Sequence, residues 1–280
     1  MSRSQRDSRA GAAHDIRIRD RQSGASRTND LAAERAYTPA VSTREDWQRR
    51  LGPLYGGAVA LVHSTPWRWP TEVSDDARSP GWIVALGVPI GLLAWVIAAL
   101  LRGAGVPVPI AAIFGLATLS LASAAIVERG LAERVDEWDG RRSGSPAAVV
   151  TLVFSTLVRA FAITTIAKGD WLLVFLATAV VGRWAAVFLQ AIGDPIHEGD
   201  KRSLVATPAP AWLTAAISLA TAALTVWALG KAGIVALALT AIAAFGLGLA
   251  TQKRDGGLTS STVAVAAAIG ELVVLVVATL

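Results

Sequence analysis

The chain has 280 residues, 53% of them hydrophobic, with a mean hydropathy of +0.50 and no cysteine. Soluble domains hold about 45–50% apolar residues; here the excess is gathered into runs, which marks an integral membrane protein with the lipid bilayer as its first partner. The missing cysteines exclude disulfides, thiolate-bound zinc and thiol catalysis, and the formal charge of +5 lies mostly in one tail and in loops, so no nucleic-acid partner is expected.

Residues 1–52 are polar, rich in Arg, Ser and Asp, and without sustained periodicity. They read as a disordered, Arg-rich cytoplasmic tail, and no apolar stretch follows the first charges closely enough for a signal peptide. A solvated tail is favoured over an arm that binds anionic lipid headgroups or nucleic acid. Residues 53–280 form the membrane domain. Its first piece, Leu54–Trp69, contains the apolar run GGAVALV and then Trp67 and Trp69; it is too short to span and suits the interface or a re-entrant position.

A bilayer needs about 20 apolar residues in a helix. Seven stretches qualify or nearly so: 81–101, 106–127, 147–167, 171–192, 211–229, 234–251 and 262–280. The fold class expected is therefore all-α, a polytopic membrane bundle of about seven helices. Gly87 and Gly91, four apart, allow close helix approach in the first span, and Pro107 and Pro109 sit in the first turn of the second, where proline is tolerated. Trp67, Trp69, Trp82, Trp171 and Trp212 fall near span ends, as an aromatic belt would. Eight Lys or Arg residues lie in the loops 128–146, 193–210 and 252–261, against three (Arg102, Lys168, Lys231) on the other side. That asymmetry places the first set inside, with the N-terminus cytoplasmic and the C-terminus outside the inner membrane.

Between the second and third spans lies a charged island, Glu128 to Arg142, read as a loop at the membrane surface. Its carboxylates could hold a divalent ion against a phosphorylated substrate, or simply mark the water boundary. Glu133 and Asp136 are three apart and share a face if the segment is helical, with Arg129 four residues before Glu133 on the same face. Three charges fall inside spans: Arg159, Arg183 and Glu271. Such residues face the bundle interior and pair. Counting about 1.5 Å per residue from the inner ends puts Arg183 and Glu271 both at roughly 13 Å and Arg159 at about 18 Å. The expectation is a pair, Arg183 with Glu271, joining spans four and seven, either as a structural lock or as a contact for a polar substrate.

The order of these features resembles the cobalamin synthase family, the adenosylcobinamide-GDP ribazoletransferases. A short apolar segment ends in proline (LVHSTP, Leu61–Pro66), and a span with Gly-x-x-x-Gly follows at Gly87 and Gly91. The island matches the motif His-x-Asp-Gly-Leu-Ala-Asp-x-x-Asp-Gly over Val127–Glu137. Arg141-Arg142-Ser-Gly144 stands near an Asp-Ser-Arg-x-Gly motif, Gly182-Arg183 matches a small-residue–Arg pair, Gly256–Ser261 stands at Gly-Gly-x-Thr-Gly-Asp, and Glu271 matches a glutamate of the last span. The chain departs from the pattern at Arg129 and Ser261, where the family has Asp, and at Glu133, a longer acid; the stretch between the two cytoplasmic motifs is also shorter.

The resemblance implies a membrane transferase that joins α-ribazole, or its 5′-phosphate, to a nucleotide-activated corrinoid, adenosylcobinamide-GDP, releasing GMP. It implies Mg²⁺ held by Glu133, Asp136 and Asp139, catalysis by Glu133 and Asp136, and substrate binding by Arg141, Arg142, Arg183 and Glu271. The alternative is a catalytically inactive paralogue that keeps the fold as a membrane scaffold or subunit with membrane-protein partners. A transporter is weaker, since no inverted repeat is evident.

Overall fold

The computed structural model describes residues 44–67, 76–140, 143–194 and 208–280. Most of the tail expected over residues 1–52 lies outside them, as do Trp69, Arg141 and Arg142; Arg44–Leu51, at the tail's end, forms helix α1. Tyr55–Ser64 forms α2, a ten-residue helix about 15 Å long and too short to cross a bilayer. Then come α3 (Ser79–Ala85), α4 (Gly87–Gly103), α5 (Val108–Ala122), α6 (Ile126–Trp138), α7 (Pro146–Thr165), α8 (Trp171–Ile192), α9 (Ala211–Leu229), α10 (Lys231–Asp255) and α11 (Ser260–Val277). No strand occurs among the described residues. The architecture is an all-α bundle with six helices long and apolar enough to cross a membrane, α3 and α4 together forming one of them, Ser79–Gly103. α5 and α6 meet at a bend of 77°, and counted together as one broken span they bring the number to seven.

α8 and α11 form the centre of the body Trp47–Leu280. Apart from a few buried polar residues, Arg183 on α8 and Glu271 on α11 among them, both are apolar on every side and rich in small residues, the pattern of a helix with no lipid face. Both are buried over most of their length, whereas α7, α9 and α10 turn much of their apolar surface outward. Gly87 and Gly91 lie where α4 crosses α8: a Cβ on Gly87 would come within 2.9 Å of the Ala179 carbonyl oxygen, and one on Gly91 within 2.7 Å of that of Phe175. The small-residue spacing of the first span thus sets a close approach, as expected. The aromatic belt is only partly realised. Trp67 and Trp212 are exposed, but Trp171 is buried and donates to the Ile166 carbonyl (3.3 Å), and Trp82 packs over Gly56 and Gly57.

Two expectations change. The second span does not run straight from Val106 to Val127. It breaks at Ser123–Ala125, where Ala124 (φ 54°) and Ala125 (φ 50°) are both left-handed. That conformation is costly for residues with a Cβ, so the break must be held from outside. Ala125 N–H bonds the Ser120 carbonyl (2.8 Å), and Ser123 Oγ donates to Leu119 O (2.9 Å) while accepting from Arg183 Nη2 (2.6 Å). The second change is the island itself: it is not a loop but a helix, α6, packed along α11 and α7. Gly130 seats it, since a Cβ there would overlap Ala264 of α11.

Candidate functional site

α6 is amphipathic. Ile126, Val127, Gly130, Arg134 and Asp136 face inward, while Arg129, Glu133 and Asp139 face out. The inward charges find partners in place. Asp136 accepts from the backbone N–H of Gly144 (2.9 Å) and of Ser145 (2.8 Å), one to each carboxylate oxygen. Ser145 Oγ in turn caps α7 by accepting from Ala148 N–H (3.0 Å). Asp136 therefore fixes the turn that launches α7, a turn in which Gly144 adopts φ 73°. Arg134, 2% exposed, joins α6 to α10. Its guanidinium bonds Glu137 Oε2 (2.8 Å) and Asp255 at the end of α10, and lies 5.3 Å from the Trp138 ring. Ser261, at the start of α11, donates to both oxygens of Glu137 (3.1 and 3.0 Å).

On the open face of α6 Arg129 and Glu133 form an i,i+4 pair with Nε–Oε1 at 3.7 Å, both more than half exposed. The shared face expected for Glu133 and Asp136 is thus divided between solvent and interior. Among the described residues no three His, Cys, Asp or Glu side chains come together in a way that could hold a metal ion. Asp136 has both oxygens on backbone donors, and Arg129 brings a fixed positive charge beside Glu133. Glu133, Asp136 and Asp139, expected to share one ion, therefore form no ready-made cluster of three ligands among the described residues.

Deeper in the bundle the three intramembrane charges do meet their kind, in a different pairing from the one expected. Glu271 Oε2 lies 3.2 Å from Arg159 Nη2, and the other Arg159 terminal nitrogen lies 3.3 Å from Glu128 Oε1. Ser120 donates to the same Glu128 oxygen (2.6 Å). Arg183 instead bonds Ala179 O (3.1 Å) and Ser123 Oγ. The expected Arg183–Glu271 ion pair is therefore corrected to Arg159–Glu271. Depth counted along straight helices separated Arg159 from Glu271 by about 5 Å, a distance an arginine side chain covers by its own length. The neighbouring of spans four and seven holds: a Cβ on Gly182 of α8 would stand 2.6 Å from Glu271 Cγ.

Sequence reasoning missed Arg134, Glu137, Asp255 and Glu128. The i,i+3 spacing of Arg134 and Glu137 was a visible signal. Glu128 gave none, because its reach into the bundle follows from the bend before it.

A family model for cobalamin-5-phosphate synthase matches residues 58–279. The adenosylcobinamide-GDP ribazoletransferase of Pseudomonas savastanoi pv. phaseolicola is 29% identical over 235 residues, covering 78% of this chain and 95% of the relative. That of Pseudomonas entomophila is 30% identical over 239 residues, and that of Pseudomonas syringae pv. syringae 30% over 235, with the same coverage. All three bear the transferase's name, and none supports the reading as an inactive scaffold. No solved structure matches.

Proposed function

The chain belongs to the cobalamin-5-phosphate synthase family, and from that premise we propose that it transfers α-ribazole, or its 5′-phosphate, onto adenosylcobinamide-GDP. A ribose hydroxyl attacks the corrinoid-side phosphorus of the diphosphate. The new O–P bond forms as the bond to the GMP phosphate breaks; GMP leaves, and the hydroxyl proton passes to a base. In this reading Glu133 takes that proton and Arg129, Arg141 and Arg142 draw the diphosphate and offset its charge, the electrostatic help that phosphoryl transfer needs most. Asp136 acts as a positioning residue through the Gly144–Ser145 turn, while Arg183 and Glu271 support the site from within the bundle. Mg²⁺ has no step in it. The N-terminus lies in the cytoplasm and the C-terminus outside, on the strength of the Lys/Arg asymmetry.

What supports the reading is the family match across residues 58–279, a range that includes the whole of α6 with its open Arg129–Glu133 face. The test is complementation of a bacterium lacking its own cobalamin synthase, grown where cobalamin is required. Growth should return with the intact chain and fail with Glu133→Ala. Absence of growth with the intact chain, when it is present in the membrane, overturns the proposal.

A further inference from the structure

Between α5 and α7 a cavity of about 110 Å³ opens at the surface of the bundle. Its mouth is rimmed by Ile113, Ala117 and Thr156, all exposed. Phe114 and Leu157 beside it are exposed apolar side chains. Thr156 lies midway along α7, and Ile113–Ala117 midway along α5. The mouth therefore faces hydrocarbon rather than either water phase.

The inner wall is polar: Glu128, Arg159, Thr178 and Glu271 line it. Three of these carry a buried atom with no hydrogen-bond partner among the described residues: Glu128 Oε2, Arg159 Nε and Thr178 Oγ1. Thr178 is 1% exposed and Arg159 7%. Buried polar atoms in native proteins are nearly always partnered, and each exception calls for an explanation. The three atoms are an acceptor, a donor and a hydroxyl able to do either. Arg159 already has two carboxylates against it, so the wall calls for no further charge. A neutral group that both donates and accepts completes it.

We propose that this cavity binds a neutral, bilayer-dissolved alcohol. Its hydroxyl seats against Glu128, Arg159 and Thr178, and its apolar tail leaves between α5 and α7 into the lipid. The cavity shares Glu271 with the groups that support the transferase site, but it is read out by labelling from the lipid side alone, so its failure would leave that reading intact.

The test uses the full chain in phosphatidylcholine nanodiscs, photolysed with n-octanol carrying a diazirine in its tail, with adducts mapped by mass spectrometry. Adducts should concentrate on residues 113–119 of α5 and 156–160 of α7. Excess n-octanol should suppress them and n-octane should not. Thr178→Val should lower them about tenfold, the effect of one to two lost hydrogen bonds, without lowering thermal stability, because the hydroxyl removed has no protein partner. If that variant does not assemble, Ala117→Leu, which narrows the mouth from the lipid side, should give the same loss. Adducts spread evenly over α9 and α10, equal competition by n-octane, or wild-type labelling in the assembled variant would overturn the proposal. The last two results would leave the polar wall to water.

Discussion

Asp136 gives both carboxylate oxygens to the backbone of one turn, and Glu133, three residues earlier on the same helix, gives its own to solvent and Arg129. Their substitutions should therefore separate. Asp136→Asn leaves one of two buried N–H groups facing an amide N–H, and should cost about 1–3 kcal/mol of stability. Glu133→Gln removes a surface pair and should cost at most about 0.5 kcal/mol. Denaturation of the purified protein measures both, and equal losses would contradict the geometry. Inside the bundle, Glu271→Leu strips Arg159 of one of its two carboxylates and should cost about 3–5 kcal/mol. A double-mutant cycle should give strong coupling between Arg159 and Glu271 and little between Arg183 and Glu271. The reverse ordering would restore the pairing that depth alone suggested. That Glu271 needed a buried cationic partner was legible from its place in an apolar run. Which arginine served was not, because side-chain reach and the path of α5 into α6 are absent from a count along straight helices.

At the level of elements, the break between α5 and α6 decides where the charges go. A straight helix through residue 127 would carry Glu128 onward along its own axis; the bend turns it back towards Arg159. Ala124 and Ala125 gave no sign of this in the sequence, since alanine is the strongest helix former and neither glycine nor proline marks the site. The signal lies in three dimensions, in Arg183 holding Ser123 from α8. Ala124→Gly and Ala125→Gly should each stabilise the protein by about 0.5–1 kcal/mol, relief of left-handed strain offset in part by added freedom in the unfolded chain. At an ordinary helix position the same change costs up to about 1 kcal/mol, so the sign of the shift distinguishes the bend from a continuous span. By contrast, the fourth and fifth spans match α8 and α9 end to end, because each is a long apolar run bounded by polar or turn-forming residues.

For the molecule as a whole, a central pair, α8 and α11, carries the outer helices, and the charged helix α6 closes one end against the α10–α11 turn. That end should face the cytoplasm. Reporter fusions at Gly140 and Lys168 should report opposite sides of the membrane, with Gly140 inside; matching sides would remove a crossing between them. The central claim, however, concerns chemistry. The intact chain in nanodiscs, supplied with adenosylcobinamide-GDP and α-ribazole, should release GMP in step with formation of the joined corrinoid, and Glu133→Ala should release none. Failure of the intact, folded chain to release GMP with either α-ribazole or its 5′-phosphate would contradict the account.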